Sequence, residues 1–164
     1  MAKQQPIEIF MPPNILKAKV GGGSGGLDDA AIKRAEVAIE ALKVEFAGWV
    51  IEDVNRLTEM RKEYETKTSN ETLANLYRAA HDLRGQATTF DFPLVARVAS
   101  SLCKLTDDTS QSLKLPSTLI DAHVDAIKVI VRDQIKDPSN TMATILAVEL
   151  ERQVAVFLEK NVGA

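Results

Sequence analysis

"ETLANLYRAAHDLRGQATTF", residues 71–90, repeats its apolar side chains at the period of an α-helix. At about 100° per residue, Leu76, Ala80, Leu83, Ala87 and Phe90 fall on one side, which must face a core. His81, Arg84, Gly85 and Thr88 share a second strip, because offsets of three, four and seven return to nearly one direction. That strip is predicted to face outward. A glycine inside a helix costs about 1 kcal/mol relative to alanine, so Gly85 needs a packing or functional reason. No neighbouring helix is expected over this strip, and a visiting surface would supply the reason.

The same period extends along the chain. Upstream, Ile32, Ala35, Ile39, Leu42, Phe46 and Trp49 alternate spacings of three and four and are predicted to line an inward face. Asp53 and Arg56 then interrupt that register, while Val50, Val54, Leu57 and Tyr64 form a shifted stripe. One long helix with a drift, or with a bend near Gly48, accounts for both. The acidic start at Leu27-Asp28-Asp29 suits a helix N-terminus. Ser69 or Asn70 can cap the helix containing His81.

Pro93 suits the first turn of a further helix, carrying Leu94, Val98, Leu102 and Leu105. Pro116 and Ser117 open another, with Ile120, Val124, Ile127 and Val131 inward. Pro138 to Asn140 precedes a last one, with Leu146, Leu150, Val154 and Phe157 inward. No segment alternates with a two-residue period. The expected fold is all-α: an antiparallel four-helix bundle with an additional helix and a flexible N-terminal tail. Residues 1–26, with "MPP" and "GGGSGG", are expected to be tail and linker, and residues 27–164 one helical domain.

With 164 residues, of which 45% are hydrophobic, the chain can bury one substantial core. A formal net charge of -3 argues against nucleic acid as a partner. The single cysteine, Cys103, permits no internal disulfide and fits a reducing compartment. Neither a secretory leader nor a membrane-spanning run is visible, so a cytoplasmic protein without membrane contact is expected. With only two histidines and no Glu-x-x-His pattern, no metal site is expected. His123 falls at the edge of an apolar face and reads as structural.

Arg84 at i+3 and Arg78 at i-3 bracket His81 on its helix. Guanidinium groups favour phosphate oxygens through paired, charge-assisted hydrogen bonds, and a neutral imidazole can attack phosphorus and hold the phosphoryl group covalently. The set reads as a phosphorylatable histidine. A surface histidine among ordinary charges has the same spacing.

"AHDLRGQATTF" resembles the signature of histidine-containing phosphotransfer domains, approximately His-x-x-Lys/Arg-Gly followed by small residues, an apolar position and often Gly. His81 matches the phosphorylated histidine, Arg84 the basic position and Gly85 the close-approach glycine. Ala87 and Thr88 match the small residues and Phe90 the apolar one. Asp91 departs from the pattern where many members carry glycine, which would alter either the partner contact or the end of the helix. The resemblance implies a helical bundle and a phosphorelay intermediate that takes a phosphoryl group from a receiver-domain aspartate and passes it to another receiver. It implies no cofactor of the chain's own, with Mg2+ supplied by the receiver. The implied partners are response-regulator receivers, with a hybrid sensor kinase as a further candidate.

In that reading His81 is the phosphoryl acceptor and donor, Arg84 steadies the phosphate and Gly85 admits the receiver. Arg78, Thr88, Ala74 and Gln86 contribute to partner binding around them. The alternative is a helical adaptor that binds receivers without phosphotransfer. "HDLRGQ" also resembles the histidine box of sensor kinases, but Gly85 and Gln86 replace its last two positions and no Asp-x-Gly-x-Gly box follows. A phosphoryl carrier is therefore expected rather than a kinase or other turnover enzyme. A self-contained bundle implies a monomer.

Overall fold

The computed structural model describes residues 29–107 and 114–162. The expected tail and linker of residues 1–26 lie outside the described residues. Two compact units are distinguished, Met1–Ala38 and Ile39–Ala164. Within the first, residues 29–38 are helical; the second contains the core.

Among the described residues the chain is all-α. Five helices follow one another: α1 (Asp29–Thr66), α2 (Asn70–Thr89), α3 (Pro93–Thr106), α4 (Ser117–Arg132) and α5 (Thr141–Val162). Each of the last four starts where its local chemistry asks. Ser69 and Thr72 form a capping box at α2, the Thr72 amide donating to Ser69 Oγ at 3.2 Å and the Ser69 amide to Thr72 Oγ1 at 3.1 Å. Pro93 occupies the first turn of α3, Pro116 precedes α4, and Asn140 Oδ1 accepts the Ala143 amide at 3.0 Å to open α5.

The core draws on all five helices. Val50, Val54, Leu57 and Tyr64 of α1 are buried with Leu73, Leu76, Ala80, Leu83 and Ala87 of α2. Leu94, Val98, Leu102 and Leu105 of α3 join Ile120, Val124, Ile127 and Val131 of α4. Helix α3 packs against α2, α4 and α5, and α4 also packs against α5. Arg97 of α3 reaches Glu151 of α5 through two parallel bonds of 2.7 Å, and Arg61 of α1 donates to Asp121 of α4 at 2.6 Å.

Three expectations about the core need correction. The shifted stripe of α1 is the buried one. Ile32, Ile39, Leu42 and Trp49 of the earlier stripe, expected inward, are 39%, 54%, 44% and 47% exposed. In α5, Leu146 is exposed, Phe157 is half-buried, and Ala143 and Ala147 are buried instead. The run "MATILAVEL" is apolar nearly all round, so period alone does not choose its face; small residues let α5 approach α3 and α4 closely. A charged side chain of α1 is expected in solvent, yet Arg61 occupies the slot between Leu57 and Tyr64 on the buried stripe and is 5% exposed. Asp121 supplies the opposite charge that makes this tolerable.

Candidate functional site

Helix α2 presents the predicted strip as expected from its wheel. His81, Gly85 and Thr88 are exposed, and Arg84 is half-buried. Leu83 and Ala87, on the opposite side, are fully buried and fix the rotation of the helix. The outer face of α2 therefore carries the histidine because its inner face is committed to the core.

The His81 side chain is 51% exposed, and its ring stacks on Tyr77, one turn earlier, with centroids 6.0 Å apart and planes 29° from parallel. Tyr77 packs against the core, so it gives the imidazole a fixed backing. Asp82 Oδ1 lies 3.9 Å from His81 Nδ1. The other oxygen of Asp82 accepts from Arg56 Nη1 of α1 at 3.4 Å. Asp82 is thus a link between the histidine and α1.

The two arginines differ. Arg78 is exposed and donates to Asn75 Oδ1 at 3.4 Å, one turn before the histidine. Arg84 lies toward α3, near enough to the Cys103 thiol to oppose the burial that pushes that thiol up to about 11. Cys103 is inert filling at neutral pH. Thr88 Oγ1 donates to the Arg84 carbonyl at 3.2 Å and Ala74 is half-buried, so of these two expected partner-binding residues only Thr88 is exposed.

Gly85 decides how the strip is understood. A Cβ added there meets nothing within 4 Å. Among the described residues, no packing requirement accounts for the glycine.

The flank of α2 facing α1 holds a groove of about 470 Å³ lined by Trp49, Glu52, Asp53, Gln86, Thr89 and Phe90. Trp49 meets Phe90 edge-on, with centroids 6.2 Å apart. Asp53 is held above the ordinary carboxylate range, chiefly by burial, with Asp82 and Glu52 pushing the same way and Arg56 opposing. Gln86, predicted to touch a partner, is half-buried in this groove beside the histidine strip.

Compared with known proteins, the chain matches no family model, no curated protein and no solved structure.

Asp91 has a backbone φ of 67°, the left-handed conformation that ends a helix. The Phe92 amide turns back to donate to the Ala87 carbonyl at 2.8 Å, and Phe92 is buried. Of the two effects considered for this departure from glycine, the local backbone favours the helix end.

His123 is fully buried in α4 and matches its structural reading. Its Nδ1 donates to the Leu119 carbonyl at 2.7 Å, which leaves Nε2 to accept from Ser101 Oγ at 3.0 Å. Burial holds its pKa below the ordinary histidine value. No helix among the described residues is long and apolar enough to cross a membrane.

Proposed function

We propose that the protein is a phosphoryl carrier of the histidine phosphotransfer type, taking a phosphoryl group on His81 from a receiver-domain aspartate and passing it to another receiver. The observation that carries this reading is Gly85, an internal helix glycine one turn from an exposed histidine, with open space where its side chain would be. Removing the side chain there lets a docking surface approach the imidazole.

The chemistry follows from the ring's surroundings. Nε2, the nitrogen not facing Asp82, attacks the phosphorus of the receiver's acyl phosphate. The nitrogen–phosphorus bond forms as the phosphorus–oxygen bond breaks, and the receiver's carboxylate leaves as the anion. The proton stays on Nδ1, where Asp82, 3.9 Å away, offsets the positive charge of the phosphorylated ring. Arg84 and Arg78 neutralise the phosphoryl oxygens, and the receiver brings its Mg2+. Nearly all of the catalytic effect is positioning and charge neutralisation.

The fold belongs to the same proposal. The core-facing half of α1 together with α2, α3 and α4 forms an antiparallel four-helix bundle, and α5 is the additional helix across α3 and α4. Support comes from the pairing of α1 with α2 through Arg56–Asp82 and with α4 through Arg61–Asp121, and from the packing of α3 on α2 and α4. The carrier works in the cytoplasm, where receivers and their kinases meet.

Incubation with a phosphorylated receiver tests the reading. An adduct that survives base and is lost in acid is expected on the wild-type chain, and His81→Gln abolishes it. Receiver binding that survives His81→Ala, with no adduct from any donor, would establish the adaptor instead.

A further inference from the structure

We infer that the groove between α1 and α2 beside the His81 strip seats an arginine side chain of the docking partner, and that Asp53 is the residue that selects it. That the partner is a receiver rests on the phosphoryl-carrier reading above; the class of side chain does not.

Asp53 Oδ2 is enclosed, and among the described residues no hydrogen-bond donor reaches it. A buried acceptor left without a donor costs the fold stability. Arg56, one turn further along α1, opposes the rise in the Asp53 pKa but gives its Nη1 to Asp82 at 3.4 Å. Burial outweighs that help, with Asp82 and Glu52 adding to it, so the free protein holds this carboxylate less readily than water does. A donor that brings positive charge would correct both deficits at once.

The lining narrows the occupant. Glu52 places a second carboxylate at the exposed rim, and among the described residues the lining contains no cation. An anionic side chain would be repelled, and an apolar one would leave Oδ2 unmet. Trp49 and Phe90 form an aromatic wall, and a cation within about 6 Å of a ring centroid is attracted to its face. A guanidinium is planar and weakly hydrated, so it can lie against a ring while its donors reach the carboxylates; an ammonium gives up more hydration to enter. Arginine is therefore favoured over lysine.

The groove is placed for use during docking. On α2, Gln86 follows Gly85 directly and Thr89 lies one turn beyond it, and both line the groove. A surface passing over Gly85 to reach His81 therefore also meets the groove mouth. Charge complementarity at such a flank discriminates among partners that share the same chemistry.

Two probes test this. Arginine amide should change the emission of Trp49, the single tryptophan, saturably, whereas citrulline amide, its uncharged counterpart, should not. Asp53→Asn should abolish the response while raising the urea midpoint, because it removes an unmet buried charge. With a receiver that labels His81, Asp53→Asn should raise the half-saturating receiver concentration about tenfold, the loss falling there rather than in the rate at saturation. An equal response to citrulline amide, a response that survives Asp53→Asn, or a lower urea midpoint overturns the inference. Normal labelling of His81 with an unchanged half-saturating concentration also overturns it and leaves the carrier standing. If no receiver labels His81, the carrier reading fails, and the arginine amide titration still decides the groove.

Discussion

The Phe92 amide donates to the Ala87 carbonyl at 2.8 Å, a bond that α2 can make only because Asp91 between them takes a φ of 67°. Six-to-one closure of this kind usually places glycine at the left-handed residue, because any Cβ there crowds the backbone. Asp91→Gly is therefore expected to stabilise the fold by about 0.5–1 kcal/mol, after the extra entropy of a glycine in the unfolded chain is offset. A higher urea midpoint with unchanged phosphoryl labelling fits a cap; slower labelling with no gain in midpoint would place position 91 in the partner contact.

Gly85 should respond in the opposite way on two scales. Gly85→Ala gains up to about 1 kcal/mol of helix stability, because nothing surrounds the new methyl. A larger side chain such as that of Gly85→Gln slows transfer from a receiver at least roughly tenfold, equivalent to about 1.4 kcal/mol of lost approach. Thermal melts and initial labelling rates on the same two variants separate the effects, and transfer unaffected by glutamine would leave the glycine without its proposed reason.

His123 sets an acid limit on stability. Its folded pKa lies below the ordinary value of 6.5, so the unfolded chain takes up the proton first as pH falls. The contribution of this residue is present above that value and is lost as pH falls through it toward the lower folded pKa. Urea midpoints across this range should fall in the wild type and fall less in His123→Phe. Ser101→Ala, which strips Nε2 of its donor, is expected to cost about 1–3 kcal/mol.

Arg61 is the charge the core can least afford to leave alone. Its side chain is 6% exposed while Asp121 remains half in solvent, so Asp121→Asn leaves a largely buried guanidinium with, among the described residues, Glu65 at 3.4 Å as its charged partner. The expected loss is about 1–3 kcal/mol, below that of a fully enclosed pair because water still reaches the aspartate side. Labelling of the folded protein should be unchanged, since neither residue touches the His81 strip; a labelling defect at full stability would contradict that separation.

Much of this was legible from period and punctuation. Leu76, Leu83 and Ala87 fix the rotation of α2, and His81 and Gly85 follow outward from them. What period could not decide was which of two apolar stripes on α1 faces the core, since Trp49 and Val50 are adjacent and both apolar. The answer depends on α2, where Phe90 meets Trp49 edge-on at the rim while Val50 is fully buried. Arg61 was invisible for a related reason: its partner lies sixty residues away on α4. Tyr77 carried a signal that could have been used, for an aromatic at i-4 from a histidine on a helix must lie beside it. The cap at Asp91 could also have been suspected, because aspartate tolerates the left-handed region and the buried Phe92 follows it.

The account turns on one bond, nitrogen to phosphorus at His81. Mass spectrometry of the wild-type chain after incubation with a phosphorylated receiver, under conditions that preserve phosphohistidine, should locate one added phosphoryl group on the peptide carrying His81 as the receiver loses its own. The same experiment on His81→Gln should leave the receiver's phosphate in place. Phosphate found elsewhere on the chain, or a receiver discharged equally by the glutamine variant, would contradict the claim.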